Sequence, residues 1–107
     1  MPPGYLGCSK VYSRNYYEII ANYSSIIKAQ FFGHLHVDTF RIYFNPVNQV
    51  EPINMQWISP SLTPYGSNNP AYKIYHVDPI YLDVIDYETH IFDLEKANAN
   101  AGVEPKW

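Results

Sequence analysis

This 107-residue sequence predicts an α+β fold with one main helix and about five strands. Three observations carry that expectation. A stretch near the N-terminus repeats apolar side chains at helical spacing. Later stretches are rich in β-branched and aromatic residues, as strands are. Clusters of Pro, Gly, Asn and Ser separate them, supplying turns. With 47% hydrophobic and 17% aromatic residues, the chain can bury a core as a single domain or sub-domain.

Taken in order, Ser13 is positioned to cap a helix over residues 14–28, where Tyr16, Ile19, Ile20, Tyr23 and Ile27 recur at three- and four-residue spacing. Residues 29–32, Ala-Gln-Phe-Phe, form a short apolar run ended by Gly33, which fits a buried strand entering a turn. Residues 39–44 read as a second strand, broken by Asn45-Pro46. Residues 53–58 alternate apolar and polar, the period of a half-buried strand, and the two together suggest a hairpin. Residues 59–70 turn to Ser, Thr, Pro, Gly and Asn and form a loop. Strands are expected over 71–77 and 84–92, separated by Asp78-Pro79. Asp93 is placed to cap a short helix over 94–99, ahead of Gly102 and Pro105. Five strands with one main helix leave sheet surface uncovered, so something else is expected to pack there.

Charge and hydropathy exclude two classes of partner. Net charge is −3 and the seven basic residues are scattered, so no stripe tracks a phosphate backbone and nucleic acid is not expected as a partner. Apolar runs such as Ile26-Ile27 and Phe31-Phe32 fall far short of the roughly 20 residues of a transmembrane helix. The start, Met1-Pro2-Pro3-Gly4-Tyr5, lacks the basic and apolar stretches of a secretory signal, so a signal, if the protein is secreted, is expected outside this chain. Cys8 stands alone: a small buried hydrophobe, a free thiol, or half of a disulfide with its partner elsewhere. Asn22-Tyr23-Ser24 is a glycosylation sequon.

Gly33-His34-Leu35-His36 carries the most chemistry. On an extended segment, alternate residues point to one side, so two imidazoles at i and i+2 can converge on one metal or serve two neighbouring ones. Gly33 allows a sharp turn or a close backbone approach. The alternative is a pair of surface histidines. Asp38 is read as a solvated or turn-stabilising residue, or as one that orients a ligating imidazole. His76 and His90 fall in strand patterns without an evident partner and receive no role. Asp83, Asp86, Glu88, Asp93 and Glu95 keep a strand and helix soluble; no Ca²⁺-binding loop accompanies them.

Gly-His-x-His after an apolar strand resembles the last metal-binding motif of calcineurin-like metallophosphoesterases. A longer collinear set resembles the acid sphingomyelinase family among them: Asn15-Tyr16-Tyr17, Gln30 through Asp38, Pro60 through Tyr65, Asn69-Pro70-Ala71-Tyr72 and Asp86-Tyr87-Glu88-Thr89. Pro2-Pro3-Gly4 looks like the tail of the family's Gly-His-Ile-Pro-Pro-Gly motif, with Met1 in place of the isoleucine. The resemblance implies the C-terminal portion of a layered β-sandwich: residues 1–92 as the end of the catalytic domain and 93–107 as the start of a C-terminal helical region. It implies a dinuclear zinc site, with His34 ligating the second ion and His36 the first. The family's other ligands and its acid histidine lie in motifs upstream of this stretch, so contact with such an upstream half is expected.

The activity implied is cleavage of sphingomyelin to phosphocholine and ceramide, although some relatives hydrolyse nucleotide phosphoesters. The implied location is secreted or lysosomal, Tyr65 would sit at the substrate rim, and Cys8 resembles a family cysteine paired to an upstream partner. The chain alone is expected to be inactive. The competing reading is a non-catalytic truncated piece acting as a binding or structural module. Those two readings part on whether the missing ligands are supplied.

Overall fold

The computed structural model describes residues 1–100, 102–104, 106 and 107; the helix-ending role expected of Pro105 lies outside the described residues. The order is α1 (Lys10–Asn22), β1 (Gln30–Phe32), β2 (Thr39–Phe44), β3 (Pro52–Ile58), β4 (Ala71–Val77), β5 (Val84–Ile91) and α2 (Leu94–Ala99). The expected α+β class is found, with strands in two sheets of order β1-β3-β2 and β4-β5. Strand boundaries fall within a residue of the sequence reading.

The main helix differs from expectation at both ends. Ser9, not Ser13, holds the N-cap position, and its side chain makes no capping bond. Ser13 lies inside the helix, where its hydroxyl accepts from the Gly4 amide at 3.0 Å and ties the N-terminal turn down. Gly4 adopts φ +87°, and a Cβ there would run into the Arg41 guanidinium, so glycine is required on both counts. The helix stops at Asn22 rather than 28. Ile26 and Ile27 both donate to the Tyr23 carbonyl in the turn that follows the helix.

Strand β3 is central. It runs parallel to β1, with Phe32 opposite Ile58, and antiparallel to β2. The β2–β3 hairpin turn is held by Asn48, whose Oδ1 accepts from the amides of Val50 and Glu51. Asp78 does the same for the β4–β5 turn, accepting from Ile80 and Tyr81. Asp93 caps α2 as expected, accepting from the Lys96 amide at 2.9 Å.

Helix α1 covers one face of the three-stranded sheet: Tyr16 meets Phe32 edge-on and Tyr17 stacks on Tyr43 at 5.5 Å. Beneath it lie buried Ile58 and a polar network. Tyr43 donates to Gln56 Oε1 at 2.7 Å, Gln30 Nε2 to Asn54 Oδ1, and Asn54 Nδ2 to the Ile27 carbonyl. Burial pushes the Tyr43 hydroxyl up to about 12, so it remains a donor at all working pH. The opposite face receives the β4–β5 hairpin through Phe31 and Trp57, which meet Tyr75 edge-on at 4.7 and 5.8 Å.

The apolar core is thin: among the described residues Ile20, Tyr43, Ile58 and Ala71 are buried, while Phe40, Ile42 and Ile74 stay exposed. A radius of gyration of 17.2 Å exceeds the roughly 13 Å of a compact chain this size. Sheet surface is thus uncovered, as the ratio of strands to helices led us to expect. Tyr43→Phe should cost about 1–3 kcal/mol, because it leaves the fully buried Gln56 carbonyl without its donor. The check is the denaturation midpoint; an unshifted midpoint would mean the bond contributes nothing.

Candidate functional site

The loop that follows β1 carries Gly33 to Asp38 across to β2. The histidines sit just past the strand end, as read from the sequence, but the segment is not extended. His34 has φ +75° and His36 φ +61°, so each occupies the left-handed region, with Leu35 between them. The i, i+2 alternation of a strand therefore does not orient these rings; two left-handed residues do. Histidine tolerates this region better than most side chains. Even so, such a residue typically costs of order 1–3 kcal/mol and persists where its surroundings enforce it. Such strain is found disproportionately at functional sites.

His34 is exposed and His36 half-buried. Tyr65, on the loop between β3 and β4, places its ring edge-on to His36 at 5.8 Å between centroids. It is 77% exposed. An exposed tyrosine and an imidazole 29 positions apart in sequence thus meet at one edge of the sheet. Parallel pairing explains it: β1 and β3 end at the same edge, and the Ser59 amide extends their ladder by donating to the Phe32 carbonyl at 2.8 Å. The loops that follow both strands leave side by side.

Zinc suits these donors in kind, since neutral imidazoles are common ligands for it. They fall short in number. Among the described residues no group of three or more His, Cys, Asp or Glu side chains could hold a metal ion.

Asp38, two residues beyond His36, is neither solvated alone nor bonded to an imidazole. Its Oδ1 pairs with Lys73 Nζ at 2.5 Å, and its Oδ2 accepts from Thr89 at 2.7 Å. Lys73 and Thr89 are directly opposite on β4 and β5, on the hairpin face turned toward the three-stranded sheet. The Lys73 side chain is 2% exposed. Its ammonium lies over the rings of Tyr87, Trp57 and Tyr75, at 4.1, 5.6 and 5.8 Å from their centroids. Each is within the reach of a cation–π interaction. Sequence reading passed over Lys73; the available clue was a lone cation on the inward phase of a strand, flanked at two-residue spacing by Ala71 and Tyr75.

The other histidines take the opposite phase. His76 and His90 project from the outer hairpin face and flank Glu88, with His76 Nε2 at 2.8 Å from Oε1. His90 Nε2 approaches Oε2 at 3.4 Å without hydrogen-bond alignment and stacks on Tyr72. Period two puts both on the face away from His34 and His36. Cys8 is half-buried in the N-terminal turn, and Asn22 is exposed at the end of α1.

The hydrogen bond with His76, joined by the charges of His76 and His90, holds the Glu88 carboxyl below its usual 4.5 against the opposing effect of desolvation. A lowered folded value means that its contribution is present above 4.5 and fades as pH falls through that folded value. Glu88→Gln should therefore flatten the acid limb of a stability–pH curve below 4.5. Superimposable acid limbs would show that Glu88 is uncoupled.

No protein-family model matches the chain. Individual proteins do. Human sphingomyelin phosphodiesterase is 40% identical over 111 residues, covering all of this chain and 17% of that protein. Sphingomyelin phosphodiesterase 1 of Caenorhabditis elegans is 40% identical over 110 residues, again all of the chain and 19% of its relative. The mouse acid sphingomyelinase-like phosphodiesterase 3b is 31% identical over 105 residues, or 90% of the chain and 22% of that protein. The chain thus spans under a quarter of the length of each. Matched along its whole length at this level, with its histidine loop and Tyr65 gathered at one sheet edge, the chain belongs to the acid sphingomyelinase family.

Proposed function

We propose that this chain supplies two zinc ligands, His34 and His36, to the hydrolytic centre of a sphingomyelin phosphodiesterase. The observation that carries the reading is the Gly33-His34-Leu35-His36 loop, left-handed at both histidines and set beside Tyr65. It lies in a chain 40% identical to proteins named for that activity. A pair of zinc ions, when bound, polarises a phosphoester and lowers the pKa of a bound water. Within the chain, each imidazole would offer a neutral ring nitrogen, its direction set by the left-handed backbone beneath it. Tyr65, exposed and edge-on to His36, would line the rim where substrate enters. The remaining ligands would come from upstream family motifs.

Sphingomyelin, cut to phosphocholine and ceramide, is the substrate this reading favours over nucleotide phosphoesters. The two matches named as sphingomyelin phosphodiesterases share more identity than the sphingomyelinase-like one. A secreted or lysosomal location follows from the same family reading. There Cys8 would pair with an upstream cysteine and Asn22 could carry a glycan. A non-catalytic binding module is the second reading, favoured by the absence of a three-ligand metal group among the described residues.

In protein carrying this chain together with the upstream ligands, His34→Ala and His36→Ala should each abolish phosphocholine release and lower zinc content, with the far-ultraviolet dichroism unchanged. Near-normal turnover in either variant would overturn the ligand assignment. The 107 residues alone should release no phosphocholine, since two imidazoles leave a dinuclear centre incomplete. Chelator-sensitive turnover by them would refute that expectation.

A further inference from the structure

We infer that Lys73 is a positioning residue for the histidine loop, acting through Asp38; the inference rests on reading His34 and His36 as metal ligands. The ammonium is almost wholly withdrawn from water and held against three aromatic rings. A buried cation is strongly disfavoured unless a counter-charge reaches it, so the cage dictates where a carboxylate must sit. That carboxylate is Asp38, the residue joining the loop to β2. Thr89 fixes its second oxygen from the facing strand, leaving the carboxylate little freedom to rotate.

At its other end the loop is fixed by the β1–β3 ladder, which runs on through Phe32 and Ser59. Five residues, 33–37, therefore span two pinned points, and both histidines take left-handed backbone between them. The hairpin's own sheet is a separate two-stranded ladder, so Asp38 gives it a direct grip on the segment that carries the imidazoles.

The test uses protein carrying the full chain with the upstream ligands and compares Lys73→Met, Lys73→Arg, Asp38→Asn and Thr89→Val with His34→Ala as control. Amide hydrogen exchange over residues 34–37 and zinc affinity are measured on each. Lys73→Met and Asp38→Asn should speed exchange of those amides on the order of tenfold. They should also weaken zinc binding by about 10- to 100-fold. Lys73→Arg, which keeps the charge, should restore a large part of both, and Thr89→Val should move both in the same direction but less.

Unchanged exchange, or faster exchange with unaltered zinc affinity, would overturn the positioning role. Should Lys73→Met fail to fold, Asp38→Asn and Thr89→Val decide by the same criteria. Loss of zinc in His34→Ala with no effect of the latch variants would sink this inference alone. Full zinc binding in His34→Ala would sink the ligand reading, and the inference with it.

Discussion

The parallel pairing of β1 with β3 is the constraint on which the site depends. Antiparallel neighbours send successive loops to opposite edges, whereas parallel neighbours send them to the same one. The histidine loop follows β1 and the Tyr65 loop follows β3, so the ladder from Gln30–Gln56 to Phe32–Ile58 decides that they emerge together. Helix α1, which precedes β1, packs across this layer: Tyr16 meets Phe32 and Tyr17 meets Tyr43, so the helix touches both edge strands across β3.

Polar chemistry holds much of this layer in place. The face under α1 is lined with Gln30, Asn54, Gln56 and Tyr43 as well as Ile58; Gln30 Nε2, Gln56 Oε1 and both polar atoms of Asn54 find partners across the sheet or in the preceding turn, while Gln30 Oε1 and Gln56 Nε2 are buried without one. Such bonds contribute modestly when made and cost more when broken, because the group left behind is dry. They favour one register, since a slip of one residue would turn the β3 amides to the opposite face and part them from Tyr43 and Gln30. The hairpin is docked differently, by aromatic edges and one caged cation. Area and charge act together there, because the rings that bury the Lys73 stem also face its ammonium.

The layers are incomplete in a consistent way. Large apolar side chains on β2 and on the outer face of the hairpin remain in water, and the molecule extends 57 × 35 × 19 Å. The described residues bring two imidazoles to one edge but no group of three side chains that could hold a metal ion. A small core and uncovered strands sit together with a chain that spans under a fifth of its sphingomyelin phosphodiesterase relatives. Each of these layers would gain from further chain packed against it.

Local chemistry alone determined the element order. Turn formers marked the hairpins, period two marked the strands, and Asp93 marked the second helix, because each of these depends on residues within a few positions of one another. Gly33-His34-Leu35-His36 and its collinear companions identified the family for the same reason. The helix limits were misread because Ser9 and Ser13 are equally good caps in isolation, and only the docking of Gly4 on Ser13 separates them. The left-handed turn at both histidines could not be read, because the loop that carries them is held at Phe32 and Asp38 by residues distant in the chain, Ser59 and Lys73. Lys73 could not be read as buried until β4, β5 and Trp57 of β3 closed around it. The parallel β1–β3 register, the meeting of Tyr65 with His36 and the caged ion pair all join residues far apart in the chain, and tertiary packing alone decided them.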